Sequence, residues 1–340
     1  MKVITSSNGG LLSAVLFLLF VPSHNSQSQV RRLDQPGPSL QSITRTDSVF
    51  DKTILQLVDH VSGKDIRSLI DTLASDSFEG RATGSIGFDK AAHFVAQHFE
   101  QSGVIPLGNS YFQKFKIESR TVKSKVFIQN TPSDSIETMN VIGVKPGTTN
   151  PDEYVLVTAH LDHLGKTLDS IYPGANDNAS GVAVMMTVAE ILKNVNTSRS
   201  VVFIAFTGEE VGLMGSAFFV THPPIDLKKI KFMINLDLVG SGSNGIMVQG
   251  VDGHDTELAE IKRINQTYFQ FEIGTRPNSP NSDQYYFHLL GVPAFFLYAY
   301  NGTMPYHSPG DTAEKIDAAV VENVAKFVLM NVWNFTKKGR

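Results

Sequence analysis

From residue 154 onward, short apolar runs alternate with segments of helical period, and this alternation restricts the fold more than any other feature of the chain. The runs are 154–159, 201–206, 232–238, 246–249 and 292–298, and the helical segments are 181–195, 211–220, 255–266, 282–290 and 313–334. Several runs are apolar at successive positions, as strands covered by helices on both faces must be. The pattern predicts an α/β protein with a mixed, mostly parallel central sheet sandwiched by helices, as a single domain over 50–340. Upstream, Phe88, Ala91, Ala92, Val95 and Phe99 recur at helical spacing before Gly103, which predicts an amphipathic helix over 87–102. A chain of 340 residues that is 41% hydrophobic can fill such a core, so a disordered or collagen-like protein is excluded.

The amino-terminal segment follows a different rule. Lys2 precedes an apolar run over 11–21, and Pro22 and a polar stretch follow it, the layout of a secretory signal peptide. The run falls short of the roughly 18 apolar residues of a membrane helix, so the mature form is expected to have no stable membrane span. Residues 1–27 are read as the signal peptide and 28–49, rich in Gln, Ser, Pro and Arg, as a linker or processing region. The expected location is therefore secreted or periplasmic. A net charge of -4 gives no electrostatic case for nucleic acid as a partner.

In an open α/β sheet, ligands sit beyond the carboxyl ends of the strands. Four strand ends carry acidic or imidazole groups: His160, Asp162 and His163; Glu209 and Glu210; Asp237; and His307 with Asp311. A glycine-rich loop holding Asp177 and Asn178 leads into the helix at 181. Each has an ordinary reading, since a lone His is usually structural and Asp177 or Asn178 can cap a helix. Their coincidence at one sheet edge weakens those readings, because clustered carboxylates are costly unless cations neutralise them. Cysteine is absent, so any metal must be held by imidazole and carboxylate.

The motifs HLDH at 160–163, GANDNASGVA at 174–183, TGEE at 207–210, NLDLVG at 235–240 and YHSPGDT at 306–312 occur in this order. FEGRATG at 78–84 and NVIG at 140–143 precede them. In this order they closely resemble the co-catalytic, di-zinc metallo-aminopeptidase family, which includes bacterial leucyl aminopeptidases, aminopeptidase Y and glutamate carboxypeptidase-type peptidases. The resemblance covers about 66–334 and implies a zinc metallopeptidase with two Zn2+ ions per chain.

It makes Asp177 the carboxylate shared by both ions, with His160 and Asp237 on one and Glu210 and His307 on the other. Glu209 would be the general base toward a metal-bridging water, Asp162 would hydrogen-bond His160, and Tyr306 takes the place of an oxyanion donor found in some members. The implied substrates are peptides with a free N-terminus. His163, Asp311, His222, His254 and His288 stay structural on this reading. Residues 282–287 match a segment near the first-residue pocket, with Gln284 where the family often has His. A single-zinc glutaminyl cyclase, a carboxypeptidase or dipeptidase on the same metal core, and a catalytically inactive binding scaffold remain as alternatives.

Overall fold

Every apolar run read from the sequence becomes a strand in the computed structural model, which describes residues 30–36, 52–118 and 135–337. The expected signal peptide over 1–27 lies outside the described residues. In chain order the elements are α1 (Lys52–Val58), α2 (Gly63–Leu73), α3 (Ile86–Gln101), β1 (Ile105–Pro106), β2 (Phe112–Glu118), β3 (Ser135–Lys145) and β4 (Asn150–His160). A two-stranded ribbon, β5 (Gly165–Lys166) and β6 (Ile171–Tyr172), is followed by α4 (Ser180–Leu192), β7 (Arg199–Phe206), α5 (Met214–Thr221), β8 (Ile230–Leu236) and β9 (Ile246–Gln249). The chain closes with α6 (Asp255–Ile264), β10 (Ile273–Arg276), α7 (Gln284–Leu289), β11 (Ala294–Ala299) and α8 (Ala318–Thr336).

The main sheet runs β1-β3-β7-β4-β8-β11-β9-β10, with β2 also paired to β3. Its centre, β7-β4-β8-β11, is parallel, so four carboxyl ends open on one edge. Outside that centre β3 joins β7, β1 and β2 antiparallel, and β9 joins β11 antiparallel, while β10 lies parallel to β9. The expected mostly parallel sheet is thus parallel in its middle and mixed at its flanks. Alternation sorts the core: Val155, Val157 and Ala159 of β4 face one apolar cluster, and Leu156 faces the other. The first cluster is covered by α4 and α8, the second by Phe219 of α5 and Phe287 of α7. Each fully buried Val, Leu, Ile or Phe contributes about 1.5–3 kcal/mol relative to exposure.

The amphipathic helix predicted over 87–102 is α3. Its Ser85 side chain accepts from the Phe88 N–H as an N-cap, and Gly103 leaves it at φ +69°. Residues 30–36, within the stretch read as linker, pack on the body. Leu33 is fully buried, its N–H donates to the Ser243 carbonyl at 3.1 Å, and Asn323 Nδ2 donates to the Gln35 carbonyl at 2.9 Å.

Arg81 holds the loops that flank the sheet edge. It is fully buried; Nε donates to the Leu161 carbonyl at 2.9 Å, Nη1 to those of Leu73 at 2.6 Å and Pro173 at 2.8 Å, and Nη2 to that of Gly174 at 2.8 Å. Burial pushes the guanidinium down to about 10, which leaves it charged at neutral pH, with Asp311, Asp177, Asp162 and Glu210 opposing the shift. A lysine cannot reproduce this fork. Arg81→Lys is expected to cost about 2–3 kcal/mol by leaving buried carbonyls unpaired, read as a lower urea midpoint at unchanged slope. An unchanged midpoint would exclude that role for the fork.

Candidate metal centre

The four parallel strand ends bring the predicted residues to one place. His160 is the last residue of β4 and Asp237 follows β8 directly; Glu209 and Glu210 follow β7, and His307 lies beyond β11. Asp177 sits in the loop that opens α4, where the Asp177–Asn178 peptide is cis. That loop is tightly specified. Gly174 has φ +58°, and a Cβ there would lie 2.3 Å from the Asp177 carbonyl oxygen and 2.5 Å from the His163 ring. Asp311 accepts from the main-chain N–H of Asn176 at 2.8 Å and of Asp177 at 3.0 Å. Asn178 is fully buried; its Nδ2 donates to the Leu236 carbonyl at 2.8 Å, and its Oδ1 accepts from the Gly181 N–H at 2.9 Å.

Two oxygens of Asp177 face two sets of partners. Oδ1 lies 3.2 Å from His160 Nε2, which is 3.3 Å from Asp237 Oδ1. Oδ2 lies 3.2 Å from His307 Nε2, which is 3.1 Å from Glu210 Oε2. These approaches lack the alignment of hydrogen bonds: His160 Nε2, Asp237 Oδ1 and His307 Nε2 are buried polar atoms without a hydrogen-bond partner. Atoms that converge without bonding one another aim at a common point between them. In the set His160, Asp177 and Asp237, and again in His163, Asp177 and Glu210, one ligand atom from each residue lies within 4.8 Å of the others. An all nitrogen and oxygen donor set of this kind fits zinc.

Neighbours orient these donors. His160 Nδ1 meets the main-chain carbonyl of Asp162 at 3.0 Å, whereas the Asp162 carboxylate stands 3.8 Å off. A carbonyl only accepts, so Nδ1 carries a proton and Nε2 is the nitrogen turned toward Asp177 and Asp237. The partner is thus the Asp162 backbone instead of the expected side chain. That carboxylate is engaged elsewhere: it accepts from Thr83 Oγ1 at 2.7 Å and from the N–H groups of Glu209 at 3.2 Å and Glu210 at 3.3 Å. It therefore ties the 160–163 loop to the 207–210 loop. Ser282 Oγ donates to Asp237 Oδ2 at 3.0 Å and accepts from Asn235 Nδ2 at 2.8 Å, leaving Oδ1 of Asp237 free.

His163, read from the sequence as structural, reaches the site. It is fully buried, and its Nδ1 lies 2.7 Å from Glu210 Oε1, a hydrogen bond that orients Glu210. The signal was the second histidine of HLDH, brought back to the site because its N–H bonds the Arg81 carbonyl at 3.1 Å. Tyr306 is 64% exposed and stacks on the His307 ring, centroids 3.8 Å apart. His222 stacks on Phe218, and His254 and His288 contact each other edge to face, away from these donors.

The electrostatics are those of carboxylates crowded with imidazoles. Burial pushes Glu209 well above the usual range, with Asp237 and Glu210 adding to the shift against His160. Burial also raises Asp237, and it pushes Asp283 up to about 7. Asp177 goes the other way: burial opposes ionisation, but His160 and His307 hold it below the usual range. His307 is raised to about 10, burial being outweighed by Asp177 and Glu210. Partial desolvation at the cleft, where 64% of Tyr306 is still exposed, and the same carboxylates push the phenol up, so it stays a protonated donor at neutral pH. Bordering Asp177 is a cleft of about 320 Å³, lined also by Leu238, Arg276, Tyr298 and Tyr306.

Residues 140–332 match the model of peptidase family M28. The chain is 32% identical over 228 residues to aminopeptidase YwaD of Bacillus subtilis, covering 64% of this chain and 48% of that protein. It is 30% identical over 222 residues to leucine aminopeptidase 2 of Arthroderma otae, covering 54% of this chain and 44% of that one. The chain thus spans about half the length of the curated relatives it matches. The fold is shared with an aminopeptidase from Aneurinibacillus sp. strain AM-1, at TM-score 0.68 and 18% identity over 82% of this chain and 95% of that one. It is also shared with BSAP, a zinc aminopeptidase from Bacillus subtilis, at TM-score 0.65 and 20% identity over 80% and 95%.

Proposed function

Because the chain belongs to peptidase family M28, we propose that it is a zinc-dependent aminopeptidase that removes N-terminal residues from peptides. The observation that carries this reading is the division of Asp177, one oxygen toward His160 and Asp237 and the other toward His307 and Glu210. On it, two zinc ions are held by those five residues. When bound, such ions polarise the scissile carbonyl, acidify the attacking water and offset developing negative charge.

The chain's own groups do the rest. Glu209, whose carboxyl has a raised proton affinity, takes a proton from the attacking water and returns it to the leaving amine. Asp162 fixes the main chain of Glu209 and Glu210. Tyr306, protonated and beside His307, donates to the oxygen that gains charge. The Asp237 carboxylate receives a free α-amine and so sets the first peptide bond in register.

The test compares a hydrophobic peptide with its N-acetyl twin while counting bound zinc. Acetylation removes the charge and the lone pair of the amine, and is expected to lower kcat/KM by about 100-fold or more. Products should be single residues from the amino end, and elemental analysis should find about two zinc ions per chain, as a paired site requires. Trimming from the carboxyl end would replace this reading with a carboxypeptidase; one ion with cyclisation of N-terminal glutamine would replace it with a cyclase. The reading includes export. No helix of the described residues is long and apolar enough to cross a membrane, and the exported protein is expected to start near residue 28 on amino-terminal sequencing. A retained residue 1 would exclude that processing.

A further inference from the structure

The cleft bordering Asp177 contains a cation that the metal centre does not use. Arg276 ends β10, is exposed, and lines the same cleft as Asp177 and Tyr306. Its guanidinium stands 6.0 Å from the centroid of the Tyr298 ring. Among the described residues no carboxylate pairs with it. Asp177 and Asp311, both buried, line the cleft too.

Arg276 lines the cleft without a carboxylate partner among the described residues, so its planar fork is available to a substrate carboxylate. Tyr298 beneath it restricts its rotamers, which lowers the entropy lost on binding. A volume of about 320 Å³ is at the small end for a ligand cleft and suits a few residues rather than a long peptide. We propose that Arg276 determines specificity by receiving a substrate carboxylate, so that preferred substrates carry one within reach of the cleft. The inference rests on the aminopeptidase reading of the same site. The carboxylate has two chemical sources, the C-terminus of a very short peptide or the side chain of an acidic residue.

Leu-Leu against Leu-Leu amide isolates the first source, and Glu-Leu amide against Gln-Leu amide the second. With the zinc-loaded protein, at least one acid-to-neutral ratio of kcat/KM is expected to reach about 10 to 100, the range for a hydrogen-bonded charge, and to arise in KM. In Arg276→Gln that ratio should fall to within about twofold of unity, with Arg276→Lys between the two. Calorimetric binding of the same four peptides to Glu209→Gln protein, with and without Arg276→Gln, gives the ratios without turnover. If the peptides are cleaved but both ratios are near one, or survive Arg276→Gln, the inference falls and the aminopeptidase reading stands. If none is cleaved, the activity reading falls, and the calorimetric ratios still decide the role of Arg276.

Discussion

Asp177→Asn is expected to empty the site of both ions together. Its two carboxylate oxygens face separate imidazoles, His160 and His307, each at 3.2 Å. An asparagine offers one oxygen and one N–H donor pair, so one side meets a group that cannot ligate. Elemental analysis after dialysis should drop from about two zinc per chain to nearly none, and kcat/KM should fall roughly 10³-fold or more, beyond the 10–100-fold typical of groups that only orient ligands. Circular dichroism should remain that of the folded chain, because the Asp311 contacts to this loop go to main-chain N–H groups. Retention of two ions would show that Asp177 is not shared.

Glu209→Gln should separate chemistry from binding. The amide keeps the size and the main-chain bond to Asp162, which runs through the N–H of residue 209. It cannot take a proton from water. Turnover is expected to fall by about 10² to 10⁴, the scale of general acid-base catalysis, with zinc content and KM near those of the parent. Parallel loss of zinc would instead make Glu209 a ligand, and full turnover would remove it from the mechanism.

Legibility followed how local each signal was. The strand Ile246–Gln249 and the helix Ile86–Gln101 were predicted to within a residue at each end, because apolar spacing and, for the helix, a glycine stop act within a few positions. Helix α5 begins at Met214 and not at 211, since Leu213 takes a left-handed φ of 58° and breaks the helical path. Helix α8 starts at Ala318 because Asp317 caps it, while Ala313–Lys315 forms a separate turn. Strand β2 escaped notice: its FQKFKIE sequence keeps polar residues exposed at the sheet's flank and lacks an apolar run. At the site, the residue types and their order were readable and the resemblance supplied a grouping about Asp177, but the contacts that orient these residues were not readable. His163 and Arg276 depend on partners distant in sequence, Glu210 and Tyr298, which only the sheet brings together.

The donors around Asp177 come from the ends of β4, β7 and β8 and from the loop beyond β11, between residues 160 and 307. An unfolded chain holds no such arrangement, so on the zinc reading the affinity for the ions is linked to the folding of the sheet. Free metal at 1,000 times its dissociation constant then adds about 4 kcal/mol to the folded state. On that reading the ions would fasten the four strand ends together, and the working lifetime of the chain, if it is exported among other proteases, would be a function of how much zinc its surroundings supply.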